Sequence, residues 1–272
     1  MSTLETETTR VVSFLEQAAP LERRPAADYA GQLRFGVDLG TSTIVLTAID
    51  QLDNPVYWSF RRERAVRDGV VVDFDGAVRA VRSLVAEAEG VLGQRVDAAA
   101  TAFPPGVPHS ECRACHYVLE QAGIDCRALV DEVSAAQALL RVSDGAIVDV
   151  GGGSTGVGVF SNGELVSLSD RPGGGHYLDL ILAGSAGIAL EVAEERKRTE
   201  GSLHLGVLAP GIERIAESIA QQCGHVSPGE VHLAGGALQL PGAAGVVSRY
   251  LGWPTAAYPH AELITPFGIA VS

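Results

Sequence analysis

The chain has 272 residues, and 33 Asp and Glu against 20 Lys and Arg give a formal net charge of −13. A surface so acidic repels nucleic-acid backbones and anionic membranes, which excludes both as partners. Hydrophobic residues make up 46% and charged ones 19%, a globular composition with enough length for two small domains, each with its own core.

No apolar run reaches the ~20 residues of a spanning helix, and acids stand where a signal peptide is basic, so a cytoplasmic protein is expected. The 32 glycines exceed the usual share of about 7%, and Lys197 is the only lysine.

Residues 1–33 are expected to form a flexible tail. Val11, Val12, Phe14 and Leu15 offer too little apolar surface to fold alone before Pro20 and the polar Glu22-Arg23-Arg24-Pro25. A short helix that docks on a partner is the other reading. A first lobe then spans 34–143. Phe35–Val37 and Ile44–Leu46 are strand-like, Asp53-Asn54-Pro55 turns the chain, and Val56–Trp58 returns. Val70–Phe74 reads as a strand. Val78, Val81, Leu84, Val85 and Ala88 mark one face of a helix over 76–92. A strand over 96–103, a helix over 110–121 closed by Gly123, and a helix over 133–140 follow.

Cys112-Arg113-Ala114-Cys115-His116 matches the C-x-x-C-H haem-attachment pattern. It lies inside the helical stretch, and in a reducing compartment the four cysteines are thiols, so helix packing is the expected role.

The second lobe, 144–272, repeats the opening of the first. Ala146–Val150 is a strand ending in Asp149-Val150-Gly151-Gly152-Gly153-Ser154-Thr155; Val157–Phe160 continues, Asn162-Gly163 turns and Leu165–Leu168 returns. The same plan surrounds Asp38-Leu39-Gly40-Thr41-Ser42, 111 residues earlier. The repeat predicts two lobes of similar plan facing one another, with a glycine-rich turn from each at the cleft. Helices over 177–182, 188–198 and 212–223, a strand over 231–233 and a final helix over 265–271 complete the lobe.

Glycine-rich turns let backbone N–H groups converge on a phosphate, and hydroxyls at Thr41, Ser42, Ser154 and Thr155 add donors. Asp38 and Asp149 repel phosphate directly and make sense with Mg²⁺ between, held mostly through water. Gly151-x-Gly153-x-x-Gly156 also fits the dinucleotide fingerprint, but that motif opens a helix and here a hairpin follows. A Walker lysine is excluded, because the only lysine is Lys197.

The segments 35–50, 131–140, 146–160, 231–242 and 265–272 resemble the five nucleotide-site motifs of the actin/DnaK-type chaperone/sugar-kinase superfamily. Arg67–Phe74 is similar to a segment of bacterial rod-shape actin homologues. Phe103-Pro104-Pro105-Gly106, Gly174-Gly175-His176 and Leu233-Ala234-Gly235-Gly236 resemble the EutJ-type chaperone-like proteins of ethanolamine-utilisation operons.

The resemblance implies an α/β fold of two facing ribonuclease-H-like lobes, the actin-like ATPase fold, with reduced outer subdomains and the last helix packing back at the lobe junction. It implies ATP and Mg²⁺ as cofactors, the lobes closing around Mg-ATP. Asp38 and Asp149 would organise the metal and its waters. Gly40, Thr41 and Ser42 with Gly151, Gly152, Gly153, Ser154 and Thr155 would cradle phosphate, and Gly235 and Gly236 would admit the adenosine. Glu132 would orient the attacking water, and Glu194 with Lys197 would contact the nucleoside. The catalytic lysine of the chaperone relatives has no counterpart, which implies slow hydrolysis or none. The implied role is a chaperone-like accessory protein for ethanolamine utilisation, acting on a protein client such as a cobalamin-dependent lyase or a microcompartment shell. A nucleotide-polymerised actin-like scaffold is the alternative, ahead of a small-molecule kinase.

Overall fold

A computed structural model describes residues 3–67, 70–107 and 109–272. Contacts divide the chain into two compact units, residues 1–141 with 263–272, and residues 142–262. The division falls two residues before the expected lobe boundary, and the last helix belongs with the first unit.

The first unit opens with α1 (Thr3–Ala18), followed by β1 (Arg34–Leu39), β2 (Thr43–Ile49), β3 (Pro55–Arg62), β4 (Val66–Arg67) and β5 (Val70–Val71). Next come α2 (Phe74–Leu92), β6 (Ala98–Phe103), α3 (His109–Ala122), β7 (Asp125–Asp131) and α4 (Glu132–Leu140). The second unit holds β8 (Gly145–Val150), β9 (Ser154–Ser161), β10 (Glu164–Pro172), α5 (Gly175–Ala186), α6 (Leu190–Thr199), α7 (Gly201–Cys223), β11 (Val231–Ala234), α8 (Ala243–Leu251) and β12 (Thr255–Ala257). The chain then returns to the first unit as α9 (Ile264–Val271).

The two five-stranded sheets have one plan. Their orders are β3-β2-β1-β6-β7 and β10-β9-β8-β11-β12. In each, the first three strands in the chain pair antiparallel and the last two add parallel. Asp38 and Asp149 are both the penultimate residue of the central strand, opposite Val45 and Gly156 of the following strand. The repeat legible in the sequence is therefore a repeat of topology and of register.

Residues 1–33 are not a loose tail through the described part. Val11, Phe14, Leu15 and Ala18 form one buried stripe of α1, and Phe14 meets Phe267 edge-on at 5.2 Å. The Trp58 indole donates to the Ala18 carbonyl at 3.0 Å, and Arg10 caps the Leu139 carbonyl at the end of α4. Beyond the helix, Arg23 N–H donates to Trp58 O and Ala26 N–H to Val56 O, each at 2.8 Å, closing the edge of β3. The stripe is too small to fold alone; tertiary packing supplies what local propensity lacks.

Other differences have similar causes. Nothing in the apolar pattern marks Asp125–Asp131 as a strand; it forms β7 by parallel pairing with β6. The strand expected over 70–74 shrinks to two residues, because Asp73 caps α2 by accepting from Gly76 N–H at 2.8 Å. Asp68 and Gly69 of the segment similar to the rod-shape homologues lie outside the described residues. The helix expected over 212–223 starts earlier, at Gly201, and α7 runs through Pro210, a residue that removes one hydrogen bond from a helix interior.

The helix α9 sits in the core of its unit, with Ile264, Phe267, Ile269 and Ala270 fully buried. It rides on bare backbone: a Cβ on Gly268 would lie 2.0 Å from Ala135 O of α4, and one on Gly36 of β1 would lie 2.6 Å from Ala270 N.

In the second unit His232 of β11 is 3% exposed, with Nδ1 2.7 Å from the Tyr258 hydroxyl. Burial holds its pKa down at about 4. The unfolded imidazole, near 6.5, binds a proton that the folded one refuses, so its stabilising effect is complete above pH 6.5 and fades as pH falls to about 4. Denaturant titrations across that window should show a loss of ~3 kcal/mol that the His232→Phe variant lacks.

Candidate functional site

The six residues of β8 are all buried, as befits a strand with neighbours on both edges. Asp149 is out of place in such a strand on hydrophobic grounds: it is 8% exposed in an otherwise apolar run. A buried carboxylate must be partnered or must serve a site.

The turn after it is held by its carbonyl side. Gly173 N–H donates to Gly153 O at 2.8 Å, Gly175 N–H to Gly151 O at 2.9 Å and His176 N–H to Gly152 O at 2.9 Å. Gly173 and the start of α5 thus occupy the oxygens of three successive peptides. In a trans peptide the C=O of one residue and the N–H of the next point oppositely. The N–H groups of Gly152, Gly153 and Ser154 consequently face away from α5, which is the arrangement an anion needs. Gly174 makes the close approach possible, since a Cβ there would lie 2.4 Å from Gly151 O.

Strand β11 runs parallel to β8 with Ala234 opposite Asp149, so the next residue, Gly235, reaches the aspartate. Gly235 has φ +79°, and a Cβ would lie 2.4 Å from both Asp149 Oδ1 and Val150 O; only glycine fits. Its N–H donates to Ala261 O at 3.1 Å, and Ala237 N–H to Val150 O at 3.1 Å. Gly236 is exposed. The structure therefore gathers Asp149, Gly151, Gly152, Gly153, Ser154, Gly235 and Gly236 at the carboxyl ends of two adjacent parallel strands, the usual ligand position of open α/β sheets.

Two expected ligand groups are engaged elsewhere. Thr155 is 1% exposed, and its hydroxyl donates to Gly173 O at 2.6 Å. Its single proton ties β9 to the loop before α5 and is not aimed at a phosphate. Lys197 places its ammonium 2.6 Å from Asp179 Oδ1 and 2.7 Å from Gly175 O, with the two side chains 12% and 8% exposed. Burial pushes the Asp179 carboxyl up and Lys197 opposes that shift, while Glu194, half-buried one turn before the lysine, adds to it. Gly174 belongs to the Gly174-Gly175-His176 motif, whereas Asp179 lies in none of the motifs. An acid between the buried Leu178 and Leu182 of an apolar helix was the available signal for Asp179, together with a solitary lysine.

In the first unit, half-buried Asp38 precedes a tight hairpin in which a Cβ on Gly40 would lie 2.8 Å from Thr43 O. Thr41 is half-buried and Ser42 exposed. Glu132 is the first residue of α4, and Asp131 caps that helix by accepting from Ser134 N–H at 2.8 Å. Asp38 and Glu132 share a neighbourhood: both act on the Cys115 thiol, which burial first, then Cys112 and these acids, push up to about 12. Cys112 and Cys115 are buried thiols outside any disulfide, and Cys112 Sγ donates to the Val107 carbonyl at 3.4 Å, in keeping with helix packing.

Among the described residues no three His, Cys, Asp or Glu side chains converge closely enough to cage a metal. Asp149, at the end of β8, is a hard oxygen donor of the kind that Mg²⁺ accepts. Among the same residues no single helix is long and apolar enough to cross a membrane.

Residues 59–183 match the model of the MreB/Mbl protein family. The chain is 35% identical over 259 residues to the ethanolamine utilization protein EutJ of Escherichia coli (strain K12), covering 95% of this chain and 92% of that protein. The crystal structure of the ethanolamine utilization protein EutJ from Carboxydothermus hydrogenoformans matches with a TM-score of 0.91 at 35% identity, over 97% of this chain and 99% of the other. The crystal structure of MreB5 of Spiroplasma citri bound to ADP matches with a TM-score of 0.72 at 16% identity, over 87% and 94%, a likeness of fold.

Proposed function

Because the chain belongs to the EutJ family of ethanolamine utilization proteins and has the actin-like ATPase fold, we propose that it binds Mg-ATP and serves ethanolamine utilisation as a chaperone-like accessory protein. One observation carries this reading: two sheets of identical strand order each place an aspartate at the penultimate position of the central strand, before a glycine turn. That the MreB5 structure was solved with ADP supports a nucleotide as the ligand.

In this reading Asp38 and Asp149 would hold Mg²⁺, which would supply positive charge against that of the phosphates. Gly40, Thr41 and Ser42 serve one phosphate turn; the N–H groups of Gly152, Gly153 and Ser154 serve the other. Gly235 and Gly236 leave room for the adenosine, with Glu194 at the nucleoside. Glu132, at the start of α4, orients a water as a weak base. With the only lysine engaged by Asp179, hydrolysis is slow or absent, and the nucleotide acts as a binding switch. Release of a protein client, such as a cobalamin-dependent lyase or a microcompartment shell component, is the proposed output, in the cytoplasm or at the compartment.

Titration calorimetry tests the site. Asp149→Ala should weaken Mg-ATP binding by at least ~10-fold, or about 1.4 kcal/mol; undiminished binding in the variant overturns the assignment. The MreB/Mbl match favours a second reading, an actin-like scaffold. Sedimentation with and without Mg-ATP separates the two, because a scaffold pellets with nucleotide and an accessory chaperone does not.

A further inference from the structure

We propose that Lys197 is a positioning residue for the second phosphate turn, acting through Asp179 and the first residue of α5 without touching the nucleoside. The proposal rests on the reading of Gly151–Ser154 as a phosphate turn. An ammonium has three donors and no acceptor. Those of Lys197 have two near partners, Asp179 Oδ1 at 2.6 Å and Gly175 O at 2.7 Å, and its side chain is 12% exposed. Gly175 is the joint of the device. Its carbonyl takes the lysine, while its own N–H donates to Gly151 O at 2.9 Å, and the next residue, His176, donates to Gly152 O at 2.9 Å.

The joint has little slack. A Cβ on Gly175 would lie 3.2 Å from Lys197 Nζ and 3.2 Å from the Ala237 Cβ, beyond the Gly235–Gly236 turn. A cation beside the start of a helix opposes the helix dipole, so it needs an anion at hand. Asp179, one turn into α5, supplies that anion and is 6% exposed. The lysine on α6, the aspartate and the carbonyl on α5, and the carbonyls of the turn therefore form one connected path. The end of that path sets which way the N–H groups of Gly152 and Gly153 face.

The test separates turn from nucleoside by ligand. Mg-ADP and adenosine are titrated against the wild type and the double variant Lys197→Met with Asp179→Leu, which removes both charges together and leaves neither buried alone. Backbone hydrogen exchange is followed by NMR on the ligand-free proteins. The expected result is a loss of ~10-fold or more in Mg-ADP affinity, adenosine affinity within ~2-fold of wild type, and faster exchange at Gly175 and His176. Adenosine affinity that falls in step with ADP would make Lys197 a nucleoside contact and overturn the proposal. Unchanged ADP affinity overturns it as well. Should the wild type bind neither ligand, the nucleotide reading fails, and exchange alone decides the brace: unchanged rates at Gly175 and His176 refute it. If the double variant does not fold, Asp179→Asn, which keeps the shape and removes the charge, is read by the same criteria.

Discussion

Replacing Gly268 with alanine should be among the most damaging single-methyl changes in the protein. The new Cβ would sit 2.0 Å from Ala135 O and 2.6 Å from the Ala135 carbonyl carbon, backbone atoms of α4 that no rotamer change can move aside. Relief requires α9 to lift from α4, and α9 carries Phe267, Ile269 and Ala270 into the core of the first unit. Overpacking of an ordinary core costs 1–3 kcal/mol, and a clash between two helix backbones belongs at or above the top of that range. A thermal midpoint about 10 °C below wild type, or an insoluble product, is the expected result. Gly90→Ala is the control. Gly90 lies in α2, exposed, with nothing within 4 Å of its ideal Cβ, so alanine there should stabilise by ~0.5–1 kcal/mol. Thermal melts of the two variants beside the wild type check both signs.

The second large effect concerns binding. Gly174→Ala would put a Cβ 2.4 Å from Gly151 O and 3.1 Å from Gly152 O and Ser154 O. The start of α5 must then retreat, and the three N–H bonds to Gly151, Gly152 and Gly153 go with it. Leu178 and Leu182 keep the rest of the helix seated in its core. The fold should survive while Mg-ATP affinity drops ~100-fold, about 2.7 kcal/mol. Gly184→Ala, further along the same helix with open space around it, should leave affinity unchanged. Equal affinity in wild type and Gly174→Ala would mean that the turn needs no support from α5.

The candidate site was legible where the pattern repeats. Two aspartates, each closing an apolar strand before glycine and hydroxyl residues, stand out in one dimension, and the sheets return them at matching positions. What stayed hidden depends on neighbours distant in the chain. Nothing local marks Gly36 and Gly268 as contact points, because the reason for each lies in α9 or α4. Thr155 reads as a phosphate donor by its place in the motif, yet strand alternation turns its hydroxyl toward Gly173. Lys197 and Glu194 look like a pair three residues apart on one helix, whereas the ammonium finds Asp179 on another. The buried stripe of α1 is too short to predict a stable helix, and its partners Trp58 and Phe267 lie 40 residues and more away. Strand β7 owes its existence to pairing with β6 and has almost no signature of its own.

The membership of α9 in the first unit has a consequence for the order in which the molecule is made. A ribosome completes residues 142–262 before it translates α9, so the second unit has all of its chain while the first still lacks a core helix. Nascent first unit must wait with the apolar seats of Phe267, Ile264 and Ile269 unfilled, a state open to misassembly and to capture by holdases. Synthesis therefore runs against the usual amino-to-carboxyl sequence of domain folding, and slow decoding near residue 260 would prolong the exposed interval.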